Sequence, residues 1–499
     1  MNSFRMRTIW HRLSTLASLG SCLAGTLAVA GCSVGPRYNR PAAEVPTAYK
    51  EAGDWKTAQP NDQDLGGAWW QIFQDSQLNA LEDHINVSNQ DLKAAEAQYT
   101  QARALLRYDR ASYYPSINGG VSATRNRISN NRPPAINTDG ATYSDFQIPL
   151  ELSYEVDVWG RVRKTVESQR SQAQASAADL ATVNLSLHSQ LALLYFQARS
   201  LDAQEQLLNS TVAEYEQAFQ LTDSRFKGGL ASEVEVQQAS TQLETTRAEA
   251  IDVGVLRAQY EHAIATLIGK PASSFRLSPL PLTSPPPSIP LSLPSELLER
   301  RPDIAASERR MAAANAQIGV AKAAYYPTIS LGATGGFESG VITTLLSGPS
   351  ILWSAGASAV APIFDAGRRR ANMDQARAAY DETVANYRET VLTGFQQVED
   401  NLAALRILEK EADTQQRAVL ASQKSLDLSL TRYRGGITSY LEVTTAQSAA
   451  LSDQVTAVSI LGRRMTSAVL LVQALGGGWD RSALPERPEC CGQLTSSSR

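Results

Sequence analysis

The chain carries its own pattern twice. Tyr113-Tyr114-Pro115-Ser116-Ile117 returns as Tyr325-Tyr326-Pro327-Thr328-Ile329, with Asp91 and Asp303 at equal distances upstream. Gly160-Arg161 returns as Gly367-Arg368. Arg225-Phe226-Lys227-Gly228-Gly229-Leu230 returns as Arg432-Tyr433-Arg434-Gly435-Gly436-Ile437, with Glu235-Val236 and Glu442-Val443 equally spaced behind. An offset of about 210 residues is far longer than a solenoid repeat, so a whole domain has been duplicated. The seam is the stretch from Pro271 to Pro294, too proline-rich for a regular helix, which reads as an extended linker.

Within each copy the hydrophobic period changes twice. Leu78 to Ala111 has helical spacing and matches Asp303 to Ala324, each helix ending at Tyr-Tyr-Pro. The period then drops to two. Ile117, Gly119, Val121 and Ala123 oppose Ser116, Asn118, Gly120, Ser122 and Thr124; after an Asn/Pro/Gly-rich turn, Phe146, Ile148, Leu150, Leu152, Tyr154 and Val156 alternate with polar residues. The second copy repeats this from Ile329 to Phe337, and its return strand, Leu352 to Phe364, alternates less cleanly. These are two hairpins, 116–157 and 328–364, apolar outside and polar inside, in which Pro149 and Pro362 must take strand ends, bulges or non-bonding positions.

Each hairpin enters a long helix, roughly Arg161 to Phe226 and Arg368 to Tyr433. Val384, Tyr387, Val391, Phe395, Val398, Leu402 and Leu405 make a coiled-coil seam, as do Leu180, Val183, Leu187, Leu191, Leu194, Ala198 and Leu201. Such helices reach roughly 100 Å. After a Gly-Gly turn comes a shorter helix ending near Leu267 or Leu475. Together with the helix before the hairpin it matches the long one in length, so two short helices stacked end to end pair with it antiparallel.

Strands of about 9 to 12 residues suit a bilayer crossing at barrel tilt. Four strands cannot close a barrel, and open edges are not tolerated in lipid, so other copies must complete it. Two copies give eight strands, an interior filled by side chains; three give twelve. The strand count excludes a monomeric barrel and disfavours a dimer, but leaves trimer and tetramer open.

The N-terminus carries Arg5, Arg7 and Arg12 before a modestly apolar stretch from Leu16 to Val29, ending in Val29-Ala30-Gly31-Cys32, the pattern of a bacterial lipoprotein signal in which Cys32 is lipidated and becomes the first mature residue. The diacyl-plus-acyl modification anchors more firmly than one chain. Ser33, rather than an aspartate, favours the outer membrane. After the signal no run approaches the roughly 20 apolar residues of a membrane helix. Cys22 leaves with the signal, and Cys490 and Cys491 sit in a polar, Ser-rich tail. The expected organisation is a signal (1–31), a lipidated extended segment (32–77), a first repeat (78–270), the linker (271–298), a second repeat (299–478) and a disordered tail (479–499).

Net charge of −4 offers no field for nucleic acid. No phosphate loop, nucleophile elbow or Cys/His metal spacing appears, so the sequence gives no reason to expect an enzyme, a cofactor or a metal. His84, His188 and His262 lie singly on helical stretches and read as surface or packing residues.

Throughout its mature length the chain resembles the TolC-like outer membrane factors, and especially their lipidated NodT-like branch. The resemblance rests on Cys32 with Gly35-Pro36-Arg37-Tyr38-Asn39-Arg40-Pro41, Trp69-Trp70-Gln71-Ile72-Phe73, Leu298-Glu299-Arg300-Arg301-Pro302-Asp303-Ile304, both Tyr-Tyr-Pro sites and Gly476-Gly477-Gly478-Trp479. It implies a homotrimer, a twelve-strand β-barrel on an α-helical barrel, and a passive exit duct for small molecules, drugs or other toxic compounds, served by a periplasmic adaptor and an inner-membrane pump. It also implies an outer-membrane location with lipid contact.

The resemblance further implies that the turns at Gly228-Gly229 and Gly435-Gly436 form periplasmic tips, closed until pump and adaptor engage. Glu235 and Glu442 fall where related ducts place aperture acids; the alternative is an ordinary solvated helix face. Leu441 matches a pore-narrowing position, or packs in a coiled coil. Tyr433 and Arg434 are placed to bond a neighbouring tip, or Arg434 serves the helix dipole. Thr445 stands where many relatives carry a second acid. Rival readings are a duct for type I protein secretion, a trimeric adhesin, which would place all four strands at the C-terminus, and a purely structural periplasmic coiled coil.

Overall fold

The computed structural model describes residues 33–42, 45–51, 67–129, 141–289 and 294–485. The expected signal, the expected lipidation site Cys32, the tip of the first hairpin, and Cys490 and Cys491 lie outside the described residues. Contacts divide the chain into two units, one of residues 1–41, 100–174 and 308–386 and one of residues 42–99, 175–307 and 387–499.

The first unit holds the strands. β1 (Ser116–Gly119) and β2 (Ser122–Arg127) both pair antiparallel with β3 (Thr142–Val156), which pairs with β4 (Thr328–Ser339), which pairs with β5 (Ile351–Val360). The two hairpins therefore join side by side through β3 and β4. The alternation read from the sequence becomes two faces. One row runs Ile117, Leu152, Ala333, Ala355 and the next Gly119, Leu150, Gly335, Trp353; on the other face Asn118, Glu151, Thr334 and Ser354 align. Ile117, Leu150, Leu331, Ile351 and Trp353 on the apolar face are exposed in the single chain.

Pro149 interrupts the ladder as proline must. Gly120 N–H donates to the Pro149 carbonyl at 3.0 Å, but the proline has no N–H to return, and the outer strand breaks there into β1 and β2. Pro362 lies beyond the end of β5. Gly336, opposite Pro149, admits no side chain: a Cβ would stand 2.2 Å from the Ile148 carbonyl oxygen, whereas one at Gly335 meets nothing within 4 Å.

Both strand-to-helix junctions use the same device. Asp157 accepts from the backbone N–H groups of Val162 and Arg163 at 3.0 and 2.9 Å, and Asp365 from those of Gly367 and Arg369 at 3.1 and 3.2 Å. The carboxylates thus satisfy orphan donors where the long helices start. Trp159 donates Nε1–H to the Pro327 carbonyl at 2.8 Å and stacks on Tyr326, which gives the second Tyr-Tyr-Pro site a packing role.

The long helices are α3 (Arg161–Lys227) and α7 (Arg368–Arg434), 67 residues each; the helices that return from their tips are α4 (Glu233–Leu267) and α8 (Tyr440–Ala474), 35 residues each. The expected single helix before the first hairpin is two, α1 (Ser76–Ser88) and α2 (Gln90–Ala111). Asn89 makes the break: its Oδ1 caps Leu92 N–H at 2.9 Å and its Nδ2 donates to the Leu267 carbonyl at 2.8 Å. The second repeat breaks likewise, into α5 (Pro294–Arg300) and α6 (Pro302–Ala323), and the repeat-equivalent Arg301 donates to the Ala474 carbonyl at 3.0 Å. The linker boundary moves accordingly, because Pro294 begins a helix, a place where proline lacks only a donor that would go unused.

The second unit packs along the predicted seams. In the second seam Tyr387, Val391, Phe395, Val398, Leu402 and Leu405 are buried, and Val384, in the first unit, is half-buried. In the first seam Leu187, Leu191 and Ala198 are buried, but Leu180, Val183, Leu194 and Leu201 are only half-buried. Tyr195 and Phe196 replace them as fully buried residues, because Phe73 packs on Phe196 at 4.9 Å and Asp75 bonds the Tyr195 hydroxyl at 2.9 Å, covering a second face of α3. The linker is extended and pinned: Leu282 N–H donates to the Arg199 carbonyl at 3.1 Å and Leu280 N–H to Asp202 at 2.8 Å, while Leu277 and Leu282 are buried.

Two further expectations change. The tail is ordered at its start, where Leu484 is buried with Ala178, Ala305 and Ala306, and Trp479 packs against them. α8 is, by length and composition, apolar enough to cross a membrane, with a window of mean hydropathy 1.4. Its Val443, Ala450, Ile460, Val469, Leu471 and Val472 are buried in the helical packing.

Gly336→Val is expected to prevent pairing of the two hairpins and to cut the yield of folded, heat-modifiable protein on gels by about tenfold or more. Gly335→Ala should leave it near wild type. Equal yields would contradict the assigned β3–β4 register.

Candidate functional site

Both long helices end in Schellman turns. Leu230 N–H donates to the Arg225 carbonyl at 2.8 Å and Gly229 N–H to Phe226 at 2.9 Å; Ile437 to Arg432 and Gly436 to Tyr433, both at 2.9 Å, repeat the pattern. Gly229 and Gly436 sit at φ +73°, a left-handed conformation that strains any residue with a Cβ. Gly228 and Gly435 precede them with ordinary backbone.

The two tips are alike in backbone and unlike in side chains. In the second repeat Arg432 pairs with Glu442 at 3.3 Å. The equivalent Arg225 and Glu235 do not pair with each other; both reach across to the second repeat. Arg225 donates Nη1 to the Tyr433 and Arg434 carbonyls at 3.1 Å each and lies 4.8 Å from the Tyr433 ring centre. A guanidinium there shares the Tyr433 carbonyl with Gly436 N–H, meets the Arg434 carbonyl beyond it, and adds to the favourable charge at that end of the dipole. Glu235 accepts from Ser232 N–H at 3.1 Å and from Tyr440 N–H at 3.4 Å, so it holds the first turns of both α4 and α8.

Tyr433 is 2% exposed, packed with Ala239, Tyr440 and Val443, and its hydroxyl donates to Thr222 at 3.4 Å. Within this chain Tyr433 therefore reaches the neighbouring tip, through Thr222 and Ala239 of the first repeat. Arg434 is exposed, and its contribution to the tip is the carbonyl that Arg225 holds. Leu441, Glu442 and Thr445 share an exposed face at the start of α8, with the Thr445 hydroxyl donating to the Leu441 carbonyl at 2.9 Å. Leu441 is 57% exposed, so it is not packing within this chain. Arg225 and Thr222 carried no signal as site residues in the sequence; only the repeat equivalence of Arg225 with Arg432 hinted at the first.

A second polar cluster was not legible at all. His188 and Glu82 are buried, with His188 Nδ1 2.6 Å from Glu82 Oε2 and Nε2 3.3 Å from Asn86 Oδ1, and Trp70 stacks on the imidazole at 4.3 Å. Burial pushes Glu82 up to about 9 and His188 down to about 4, the neighbouring Asp83 adding to the first and opposing the second. Both are therefore neutral near pH 7. In that state Glu82 donates its proton from Oε2 to Nδ1 and Nε2–H donates to Asn86, while Glu82 Oε1 is buried without a partner among the described residues. Among the described residues no group of three or more His, Cys, Asp or Glu is placed to hold a metal ion.

The family model for outer membrane efflux proteins matches residues 83–270 and 293–477, the two repeats. The chain belongs to the outer membrane efflux protein family. It is 33% identical over 467 residues to the probable efflux pump outer membrane protein SepC of Pseudomonas putida, covering 92% of this chain and 96% of that one. It is 32% identical over 475 residues to the cation efflux system protein CusC of Escherichia coli, covering 94% and 100%. The crystal structure of the Campylobacter jejuni CmeC outer membrane channel superposes with a TM-score of 0.84 at 28% identity, covering 90% and 96%. The chain is thus an outer-membrane efflux duct, whose strands span the outer membrane and whose helices extend into the periplasm.

Arg225→Ala removes two charge-assisted bonds and a ring contact. Hydrogen exchange in 222–235 and 430–445 is expected to quicken by about tenfold or more, with the rest of the duct unchanged. Unchanged exchange would remove Arg225 from the tip's support.

The buried pair sets a pH dependence. Glu82, raised on folding, contributes stability that is present at low pH and lost as pH rises through about 9; His188, depressed, contributes stability present above pH 6.5 and lost as pH falls through about 4. Between pH 6.5 and 9 only the Glu82 effect acts, so the melting temperature should fall over that range more in wild type than in Glu82→Gln. Parallel curves would contradict the neutral pair.

Proposed function

We propose that three copies of this chain form the exit duct of a tripartite pump, and that the duct conducts small molecules delivered by an inner-membrane transporter through a periplasmic adaptor. The observation that carries this reading is a sheet of five strands in four rows, β1 and β2 together making one interrupted outer row, with an apolar face and, among the described residues, two unpaired outer edges, β1/β2 and β5. Three such sheets joined edge to edge give twelve strands, enough to enclose a lumen, with Asn118, Glu151, Thr334 and Ser354 facing water inside it. Cys32 carries the acyl anchor.

The tips form the periplasmic aperture and the adaptor's contact. Glu442, Leu441 and Thr445, on the exposed face of α8, line it; Glu235, engaged between α4 and α8, supports it from behind. Opening separates the two tips of each chain, and the engaged partner compensates the broken Arg225 and Glu235 bonds. Relatives are named for toluene, for antibiotic and for cation efflux, which fits a duct that leaves selection to the pump.

Loss of the gene is expected to raise accumulation of small toxic compounds without loss of protein secretion, and Cys32→Ala to reduce outer-membrane retention. In a planar bilayer the purified duct should show small conductance, rising severalfold when Glu442→Ala and Arg225→Ala are combined. Zero conductance in both would sink the pore reading.

A further inference from the structure

In the strand-bearing unit, a cavity of about 780 Å³ opens between the end of α6, the start of α7 and the N-terminal segment at Gly35 and Pro36. Lys322, Arg370 and Arg377 line it, opposed by one acid, Asp374. Arg370, Asp374 and Arg377 fall on one face of α7 because they are spaced by four and three residues. None of these four side chains makes an ion pair among the described residues. The neighbouring Arg369 is already engaged, by Asp365 at 2.6 Å and by the Tyr325 ring at 5.5 Å. The cavity therefore holds an uncompensated positive charge, and Met373 gives it a buried apolar wall.

Its depth relative to the bilayer follows from the chain. Gly35 lines the cavity and stands three residues from Cys32, a reach of at most about 10 Å. With Cys32 acylated, the cavity must lie at headgroup level in the periplasmic leaflet. The local order of residues agrees. Ile363 and Phe364, 89% and 88% exposed, precede the cations on α7, and Tyr325 and Tyr326 border the cavity. Apolar surface, then tyrosine, then lysine and arginine is the sequence met on leaving a membrane for water.

We propose that this cavity binds the phosphate headgroup of an anionic phospholipid, with Arg370 and Arg377 on the phosphate oxygens and Lys322 completing the charge. The assignment rests on the lipid-anchored duct reading given above. Basic pockets beside membrane-embedded segments take anionic headgroups in this way, and guanidinium groups suit phosphate oxygens bidentately.

The test uses the full acylated duct in vesicles of phosphatidylcholine doped with spin-labelled phosphatidylglycerol or spin-labelled phosphatidylcholine. Wild type is expected to immobilise the anionic label about threefold or more over the zwitterionic one, and the combined Lys322→Gln, Arg370→Gln, Arg377→Gln variant to bring the ratio near one. All three side chains are exposed, so folding should persist, which heat-modifiability checks. Equal ratios in wild type and variant would overturn the proposal. If millimolar inorganic phosphate abolishes the preference, the site takes free phosphate and the lipid assignment fails. The chain's mass reports acylation separately: an unacylated chain that keeps the preference refutes the anchor but not the site, and an acylated chain without it refutes the site.

Discussion

A β-sheet in lipid cannot leave an edge unpaired, because each exposed backbone donor and acceptor there costs several kcal/mol. This chain builds one sheet of four rows, the outer one split into β1 and β2, closes β3 onto β4 within the chain, and leaves β1/β2 and β5 open among the described residues. Everything else is consistent with that constraint. The apolar face is exposed in the single chain because lipid is its solvent, and Pro149 is tolerated because the strand opposite simply breaks there. The duplication supplies the two hairpins, and the proposed assembly of three copies supplies the rest.

The duplicated helices keep their joints and diverge at their tips. Asn89 and Arg301, equivalent in the repeat, each close the end of a returning helix, on Leu267 and Ala474. Those joints fix where each short helix meets the next. At the tips the same Arg and Glu positions do different work: Arg432 and Glu442 pair with each other, whereas Arg225 and Glu235 both bind the second repeat. One repeat therefore presents an exposed acid and the other braces it.

Features set by local period or by chain-breaking residues were legible in the sequence. The strand faces came from strict alternation, the ends of α3 and α7 from the Gly-Gly pairs, and the second seam from its 3–4 spacing. Features set by contacts between distant segments were not. Nothing local marks Asn89 as a break, because its partner Leu267 is 178 residues away. Nothing local marks Tyr433, at a helix end, as buried, because Tyr440, Val443 and Ala239 come from other helices to pack over it. His188 is buried only because Glu82 and Trp70 come from another segment to meet it. The first seam was half right for the same reason: a second layer around Phe73 and Asp75 turned Tyr195 and Phe196 inward.

The central claim is that open strand edges are completed by two further copies. Native mass spectrometry of the detergent-extracted, full-length protein counts those copies directly. The account requires three chains per particle, with no stable monomer or dimer under conditions that preserve the sheet. A particle of one or two folded chains would contradict it, since neither encloses a conducting barrel.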